Sequence, residues 1–399
     1  MNVSNALSER RSQIVRQTLA LVNHVGPLSS EQRKRLLGLR NDMDRLEESI
    51  AQDSQEKREL AFGSFLRHGL SPTTHQNGIT SEERSLIRET RDLGTAGGGA
   101  GLSTSGGGVF APIGFVSLVD ANLKYSTPMM DSSIVNLVET ETGAILPFPT
   151  DDDTSVNAEL LAESIQGDLG DIGAISQAKL GAYKFNSKII RASFELVQDE
   201  SVDFPAYLAA RFGARFGRGI GPYLTTGTGS GQPTGFLQTA QSGGTAVGAG
   251  TNDGTSGANT IGSDDLATLE SSLDYGWRPK ARWMMHANTL KTLRAQKDKQ
   301  GRRLFGELNR PGPLMLAGYP VSINNSMDQL QTQVGSPPVT KTPICFGDFS
   351  QYTVRRAAVW VQRLQHRFAD YGQFGFLSFM RVDGALMQAS AIKTMQTTY

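Results

Sequence analysis

The sequence predicts an α+β protein in which one long helix separates an appended helical region and an arm from a folded body. Three observations carry this. The first is the stretch from Asp203 to Leu237, DFPAYLAARFGARFGRGIGPYLTTGTGSGQPTGFL, which reads as a helix running into a glycine loop. The second is the alternation of helix and strand patterns after Ser263, which indicates an α+β or mixed α/β body. The third is a charged, heptad-patterned block over residues 1–93, set off by a glycine run at 94–108.

Composition narrows the function classes. With 399 residues the chain has room for two or three domains. Lys plus Arg and Asp plus Glu are both 39, and this zero formal charge argues against a dedicated nucleic-acid or anionic-membrane binder. A lone cysteine, Cys345, excludes an internal disulfide framework and points to a protein made in a reducing cytosol. No apolar run approaches the ~20 residues that span a bilayer, and MNVSNALSERRSQIV lacks a signal-peptide apolar stretch.

Residues 1–93 hold 14 Lys/Arg and 13 Asp/Glu. Leu36, Leu39, Met43, Leu46 and Ile50 follow the 3-4-3-4 spacing of a heptad seam, preceded by a capping box at Ser29-Ser30-Glu31-Gln32. Asp53 and Lys57 fall on seam positions, so a coiled coil here is short; a small helical bundle fits equally. Thr80-Ser81-Glu82-Glu83 opens a further short helix to about Leu93. The run GTAGGGAGLSTSGGG at 94–108 has the composition of a linker and of a protease site.

Residues 115–145 read as a short helix followed by a β-type run through Ile134, Val135, Leu137 and Val138, ended by Pro147-Phe148-Pro149. Tyr183, Phe185, Ser187 and Ile189 alternate with polar residues as in a half-exposed strand. The two strands flank a long tip, which predicts an extended β-arm. From Glu139 to Ala178 there are nine acidic residues and no basic one. Such an arm is either solvated or laid on a cationic partner.

In the central helix Asp203 is the expected N-cap and Pro205 fits the first turn. Leu208, Phe212, Phe216 and Ile220 form an apolar stripe, beside a cationic one of Arg211, Arg215 and Arg218. Pro222 predicts a break near Gly219–Pro222. After a second glycine-rich loop at 241–262, Ser263 is the expected cap of a helix through Leu266, Leu269 and Leu273 that stops at Gly276. Arg282–His286 reads as a strand, and Asn288 as the cap of a helix with Leu290 and Leu293 inward. Trp277–Arg310 carries ten Lys/Arg against two Asp/Glu, a surface of opposite sign to the arm. Strands follow around Val321–Ile323, Pro343–Phe346 and Val359–Val361, and Asp383-Gly384 reads as a hairpin turn between Phe374–Val382 and Ala385–Ile392.

Patterns of reactive chemistry are few in this sequence. Gly227-Thr228-Gly229-Ser230-Gly231 is followed by Gln232-Pro233, not by the Lys of a phosphate loop, and it follows a helix instead of preceding one. It reads as a tight crossing that only glycine permits. There is no Gly-x-Ser-x-Gly elbow, and no two of His24, His68, His75, His286 and His366 stand at i,i+4. Asp151-Asp152-Asp153 lacks the spacing of a calcium loop. Cys345 reads as a core thiol. No cofactor, metal or catalytic residue is assigned. The arginine stripe is read as a solvated face or as intersubunit partners, with nucleic acid as the other option.

In order and spacing the chain resembles the major capsid protein of tailed bacteriophages, with the Hong Kong 97-like fold. The marks are the run from Gly227 to Leu237 directly after the long helix, then Ala281-Arg282-Trp283-Met284-Met285-His286-Ala287-Asn288-Thr289-Leu290 leading to Leu293-Arg294. Lys297-Asp298-Lys299-Gln300-Gly301-Arg302, Ala317-Gly318-Tyr319-Pro320-Val321 and Phe346-Gly347-Asp348-Phe349 follow. The resemblance implies a shell protein that assembles as hexamers and pentamers around double-stranded DNA.

It also implies a division of the chain. Residues 1–93 resemble a scaffolding (delta) region, and the linker at 94–108 (Gly97, Gly98, Gly99, Gly101, Gly106) the region where a phage maturation protease cuts. Residues 109–138 resemble the N-arm and first P-domain strand, 139–182 the E-loop, 183–224 the P-domain with its spine helix, 225–365 the A-domain, and 366–399 C-terminal strands returning to the P-domain. Gly227, Gly229, Gly231, Pro233 and Gly235 are then the P-to-A joint, and Gly217, Gly219, Gly221 and Pro222 a place for the spine to bend. Expected partners are further copies of the chain, the protease, a portal and decoration proteins, with non-specific DNA contact and no membrane. Expected localisation is the virion, after assembly in the host cytoplasm. Asp151, Asp152, Asp153, Glu159 and Glu163 are set against Arg278, Arg294, Lys297 and Arg302 of a neighbour. The best-known family member crosslinks through an E-loop Lys; here the first Lys is Lys179, which argues against crosslinking. Two rival readings are an encapsulin-like nanocompartment and a soluble α/β hydrolase or nucleotide-binding enzyme. The charged helical region speaks against the first and the missing reactive cluster against the second.

Overall fold

A computed structural model describes residues 10–17, 30–68, 83, 85–86, 108–140, 143–150, 176–198, 203–246, 261–297, 300–305, 308, 312–330 and 340–398. The linker glycines Gly97, Gly98, Gly99, Gly101 and Gly106 and the arm acids Asp151, Asp152, Asp153, Glu159 and Glu163 lie outside the described residues, as does most of the second capping box. The chain divides into two units. One comprises Met1–Ser117, Arg191–Pro205 and Gln362–Gly375, and the other Leu118–Ile190, Ala206–Val361 and Phe376–Tyr399.

In the first unit the long helix α1 (Ser30–His68) carries the predicted seam. Leu46 is buried, while Leu39 and Met43 are half-buried. Asp53 and Lys57 form an ion pair one turn apart at 2.8 Å, which explains how charges sit on the seam. The end of α1 is unlike its charged middle. Ala61, Phe62, Phe65 and Leu66 are buried, and the Phe62 ring meets Phe115 edge-on at 5.0 Å. The block read as 1–93 therefore does not stand apart at this end; its average charge concealed an apolar last turn. Arg363 donates to the Arg67 carbonyl at 3.0 Å and stacks 3.9 Å from Phe374, whose ring also packs on Phe194 of α3 (Phe194–Gln198) at 4.4 Å. Burial lowers the Arg363 pKa to about 10.

The second unit is built on two sheets. In one, β2 (Asn136–Thr140) runs parallel to β12 (Tyr352–Leu364), β12 neighbours β13 (Gln373–Leu386), and β13 pairs antiparallel with β5 (Tyr183–Asn186). From Leu118 on, helix α2 (Ile113–Ser126) belongs here, as does the 23-residue α4 (Phe204–Thr226) from Ala206 on. Leu208, Phe212, Phe216 and Ile220 of α4 are all buried, as their spacing requires. Gly213 and Gly217 lie one turn apart on a second face and let α2 approach backbone to backbone. A Cβ on Gly213 would stand 2.4 Å from the Val119 carbonyl, and one on Gly217 2.4 Å from Ser126 Cβ. Gly217 is therefore a packing position rather than a flexible one, whereas Gly219 has nothing within 4 Å.

The predicted break near Gly219–Pro222 does not occur; α4 continues through Pro222 to Thr226. The proline's missing N–H leaves its ladder bond open, but the hydroxyls of Thr225 and Thr226 donate to the carbonyls of Gly221 and Pro222 at 2.8 and 3.0 Å and hold the last turn.

The second sheet has the order β7-β14-β11-β8-β10-β9. Its strands are β7 (Gln241–Thr245), β8 (Arg282–Met285), β9 (Met315–Leu316), β10 (Tyr319–Ile323), β11 (Thr340–Gly347) and β14 (Ile392–Thr398). Helices α6 (Ser263–Ser271) and α7 (Ala287–Ala295) bring Leu266, Leu269, Leu290 and Leu293 to its core, around Trp283 and Phe346 at 4.4 Å. The buried Trp283 indole N–H donates to Leu316 O at 2.9 Å.

Several sequence boundaries shift. β14 lies in this second sheet, between β7 and β11, so the expectation that all of 366–399 returns to the spine's sheet fails for the last strand. Conversely β12, placed with residues 225–365, pairs with β2 in the first sheet. Strand alternation reports a buried face and not which sheet it joins. Asp383-Gly384 forms no hairpin; both lie inside the continuous β13, where a Cβ on Gly384 would stand 2.2 Å from the Tyr352 hydroxyl. The helix caps move as well. Gly262 takes the α6 cap position with Asp265 accepting from its N–H at 2.9 Å, and His286 Nδ1, not Asn288, caps α7 by accepting from Asn288 N at 2.9 Å.

Candidate functional site

Three places in the second unit gather the predicted residues: the turn after α4, the root of the arm, and the cationic stretch 277–303.

The turn is made by the glycines. Gly227 N–H bonds Tyr223 O at 2.9 Å, and Gly235 N–H bonds Gly227 O at 2.8 Å, closing the loop on itself. Thr228 and Thr234 form an isolated bridge, and Gln232 donates to the Thr228 hydroxyl at 2.6 Å. Gly229 and Gly231 have φ of 78° and 69°, the left-handed region. A Cβ at Gly227 would lie 2.3 Å from the Pro233 carbonyl. The buried Tyr352 donates from its hydroxyl to Thr234 O at 2.7 Å, which ties this loop to β12. The N–H groups of Gly227 and Gly235 are thus both spent on carbonyls of the turn itself.

The arm has a two-stranded root, β3 (Leu146–Thr150) against β4 (Ser176–Leu180), in register from Leu146↔Leu180 to Thr150↔Ser176. Pro147 and Pro149, expected to end a strand, lie inside β3, because a two-stranded ribbon leaves one backbone edge without ladder bonds. Arg355, 2% exposed, reaches this root. Its Nε donates to Thr140 Oγ1 at 2.9 Å, and its Nη1 donates to the carbonyls of Ala144, Leu180 (3.0 Å) and Gly181 (3.2 Å). Asp383 accepts from the N–H of the same Gly181 and from Gly384 at 2.8 Å. Burial raises the Asp383 pKa against the pull of those N–H groups and Arg355, and burial lowers that of Arg355. The next residue, Arg356, pairs with Asp120 of α2 and Glu139 of β2. Burial raises the Asp120 pKa, opposed by Arg356. Sequence reasoning missed this cluster; two consecutive arginines inside an otherwise apolar strand, Val354-Arg355-Arg356-Ala357, were the available signal.

The cationic residues part company. Arg215 turns inward: its Nη1 donates to Ser187 O and Lys188 O at 3.1 Å and to Ile189 O at 3.4 Å, holding Lys188 at a φ of 57°. Arg211 is exposed over the Tyr207 ring at 5.2 Å, and Arg218 is exposed. Arg278 donates to Leu273 O (3.1 Å) and Ser271 O (3.4 Å), capping the end of α6. With Lys280, Arg282, Tyr275 and Tyr319 it lines a cleft of about 530 Å³. Arg294 is half-buried, and Lys297 and Arg302 are exposed. Cys345 is buried among core groups, and burial pushes its thiol pKa well up. Among the described residues no group of His, Cys, Asp and Glu is placed to hold a metal, and no helix is long and apolar enough to cross a membrane.

The model of one family, described as the phage capsid family, matches residues 107–397. No curated protein matches the chain. Similar solved structures include the capsid of the empty GTA particle computed with C5 symmetry, at 24% identity over 67% of this chain and 88% of that one, with a TM-score of 0.54. The capsid of the native GTA particle, also computed with C5 symmetry, is 24% identical over 67% of this chain and 89% of that one, with a TM-score of 0.53. The likeness to both is one of fold.

Proposed function

The chain belongs to the phage capsid family; we propose that it is the major capsid protein of a tailed-phage shell, with a division of labour along the chain. Residues 1–93 act as a scaffolding region in the procapsid, and a phage protease removes them within 94–108. The observation that carries this is the coincidence of two boundaries: the family model begins at residue 107, where the glycine run ends. The spine helix and first sheet form a P-domain, the second sheet with α6 and α7 an A-domain, and residues 139–182 an E-loop. Copies meet as hexamers and pentamers, with portal and decoration proteins as further partners and packaged DNA touched without sequence preference. The particle is built in the host cytoplasm. The role is structural, and no reaction is assigned to any residue.

The acidic arm is proposed to lie on the surface around Arg294, Lys297 and Arg302 of a neighbour. Opposed charge sets register and association rate more than affinity. Arg278 and Arg215 contribute less than their charge suggests, since each is already spent on carbonyls of its own chain.

Expression of the chain alone, followed by size exclusion and negative-stain microscopy, is expected to give shells. Co-expression with the cognate protease is expected to remove about a quarter of the 43.0 kDa, the share ahead of residue 107. A stable monomer under both conditions overturns the assignment of self-assembly; shells without mass loss overturn only the cleavage.

A further inference from the structure

We propose that Arg355 is the positioning residue for the arm: it fixes the direction in which β3–β4 leaves the body, and shell assembly depends on it more than the fold does. The geometry is specific to the arm's two roots. Thr140 and Ala144 stand where the chain goes out, and Leu180 and Gly181 where it comes back, and one guanidinium binds all four. Both backbone groups of Gly181 are held, its N–H by Asp383 and its carbonyl by Arg355.

The neighbouring arginine supports the outgoing strand from the other side. Successive side chains of a strand face opposite ways, so Arg355 and Arg356 leave β12 on opposite faces. Arg356 holds Glu139 while Arg355 holds Thr140, the next residue. The last two residues of β2 are thus tied on both faces to one strand, and through Asp120 the same pair reaches α2.

Stability alone does not account for a buried guanidinium here. Taking such a charge out of water is costly, and well-packed apolar residues of similar size often do as well or better. What a planar, five-donor fork does uniquely is fix the mutual angle of several acceptors. That angle matters because the arm is a lever. Five residues of β3 extend roughly 17 Å, so a 10° error at the root displaces the end of the ladder by about 3 Å, beyond the tolerance of a preorganised contact. The inference rests on the reading that the arm touches a neighbouring copy.

The test uses the full chain with Arg355→Met, read three ways. Lys179 lies exposed in β4 opposite Pro147, so trypsin cleavage there reports loosening of the root. Loss of charge-assisted bonds is expected to speed that cut by about tenfold or more, a larger loss of protection at the root than the accompanying fall in the urea midpoint of dissociated subunits accounts for, with a matching fall in shell yield. Thr140→Val, which removes the acceptor of the Nε bond, is expected to give a smaller change of the same kind and decides the matter if Arg355→Met does not fold. Unchanged Lys179 cleavage and shell yield in the folded variants overturn the proposal. A parallel variant neutralising Asp151, Asp152 and Asp153 separates the two readings. Shell loss there, with normal shells from the Arg355 and Thr140 variants, overturns the positioning role alone. Normal shells from all of them overturn the arm contact as well.

Discussion

Gly217→Ala and Gly219→Ala, two positions apart on α4, are expected to change stability in opposite directions. Replacing a helical glycine by alanine gains about 0.8–1 kcal/mol of helix propensity. At Gly219 nothing lies within 4 Å of the new methyl, so that gain is realised in full. At Gly217 the methyl would stand 2.4 Å from Ser126 Cβ and 3.1 Å from Leu123 O. The first belongs to a short side chain on helical backbone and the second is backbone, so neither rotates away. Helix α2 must retreat, loosening the buried Leu123 and Val119 against α4. Overpacking of this kind costs about 1–3 kcal/mol, so the net effect is a loss of up to about 2 kcal/mol. Urea denaturation of dissociated subunits, followed by circular dichroism, reads both from the shift in midpoint at constant slope. Stabilisation of Gly217→Ala to the same extent as Gly219→Ala would refute the close approach and restore the reading of these glycines as a bending point.

Three further outcomes are expected. Burial lowers the His286 pKa below its usual 6.5; the unfolded chain therefore binds the proton first, and stability present above pH 6.5 is lost as pH falls through the folded value. His286→Asn keeps a cap and is expected to flatten that dependence between pH 7.5 and 5.5 in thermal melts; an unchanged slope counts against the ring as the acceptor. Tyr352→Phe leaves the half-buried Thr234 O without its partner and is expected to cost about 1 kcal/mol in urea, while a neutral result would show that the turn does not lean on β12. Charge reversal at the exposed Lys297 and Arg302 together is expected to lower shell yield and its salt sensitivity while leaving subunit melting within about 0.5 kcal/mol of the parent, as exposed sites do; unaltered assembly would remove the arm's proposed partner.

The elements with a strong local signal were legible. The i, i+4 stripe of Leu208, Phe212, Phe216 and Ile220 is buried as its period required, and the glycines at 227–235 make the turn their spacing demanded. Caps slipped by one or two residues because Ser263 and Asn288 carry the right atoms, but Asp265 and His286 carry them at the right geometry. Lys179 and the prolines of β3 gave no strand period, so the arm's own ladder went unread until its two halves were seen paired.

By itself the sequence determined the periodic and conformational facts: which faces are apolar, where only glycine can turn the chain, and where charge of one sign accumulates. Those depend on neighbours within a few residues. Tertiary structure alone decided the partners. It sent β14 to one sheet and β12 to the other, made Gly217 a contact and Gly219 a free position, and turned Arg215 inward while Arg211 and Arg218 stayed exposed. It also drew Arg355 to an arm root more than 170 residues away in sequence. Hydrogen bonds and packing at that separation are set by which surfaces meet, and a one-dimensional pattern carries no term for that.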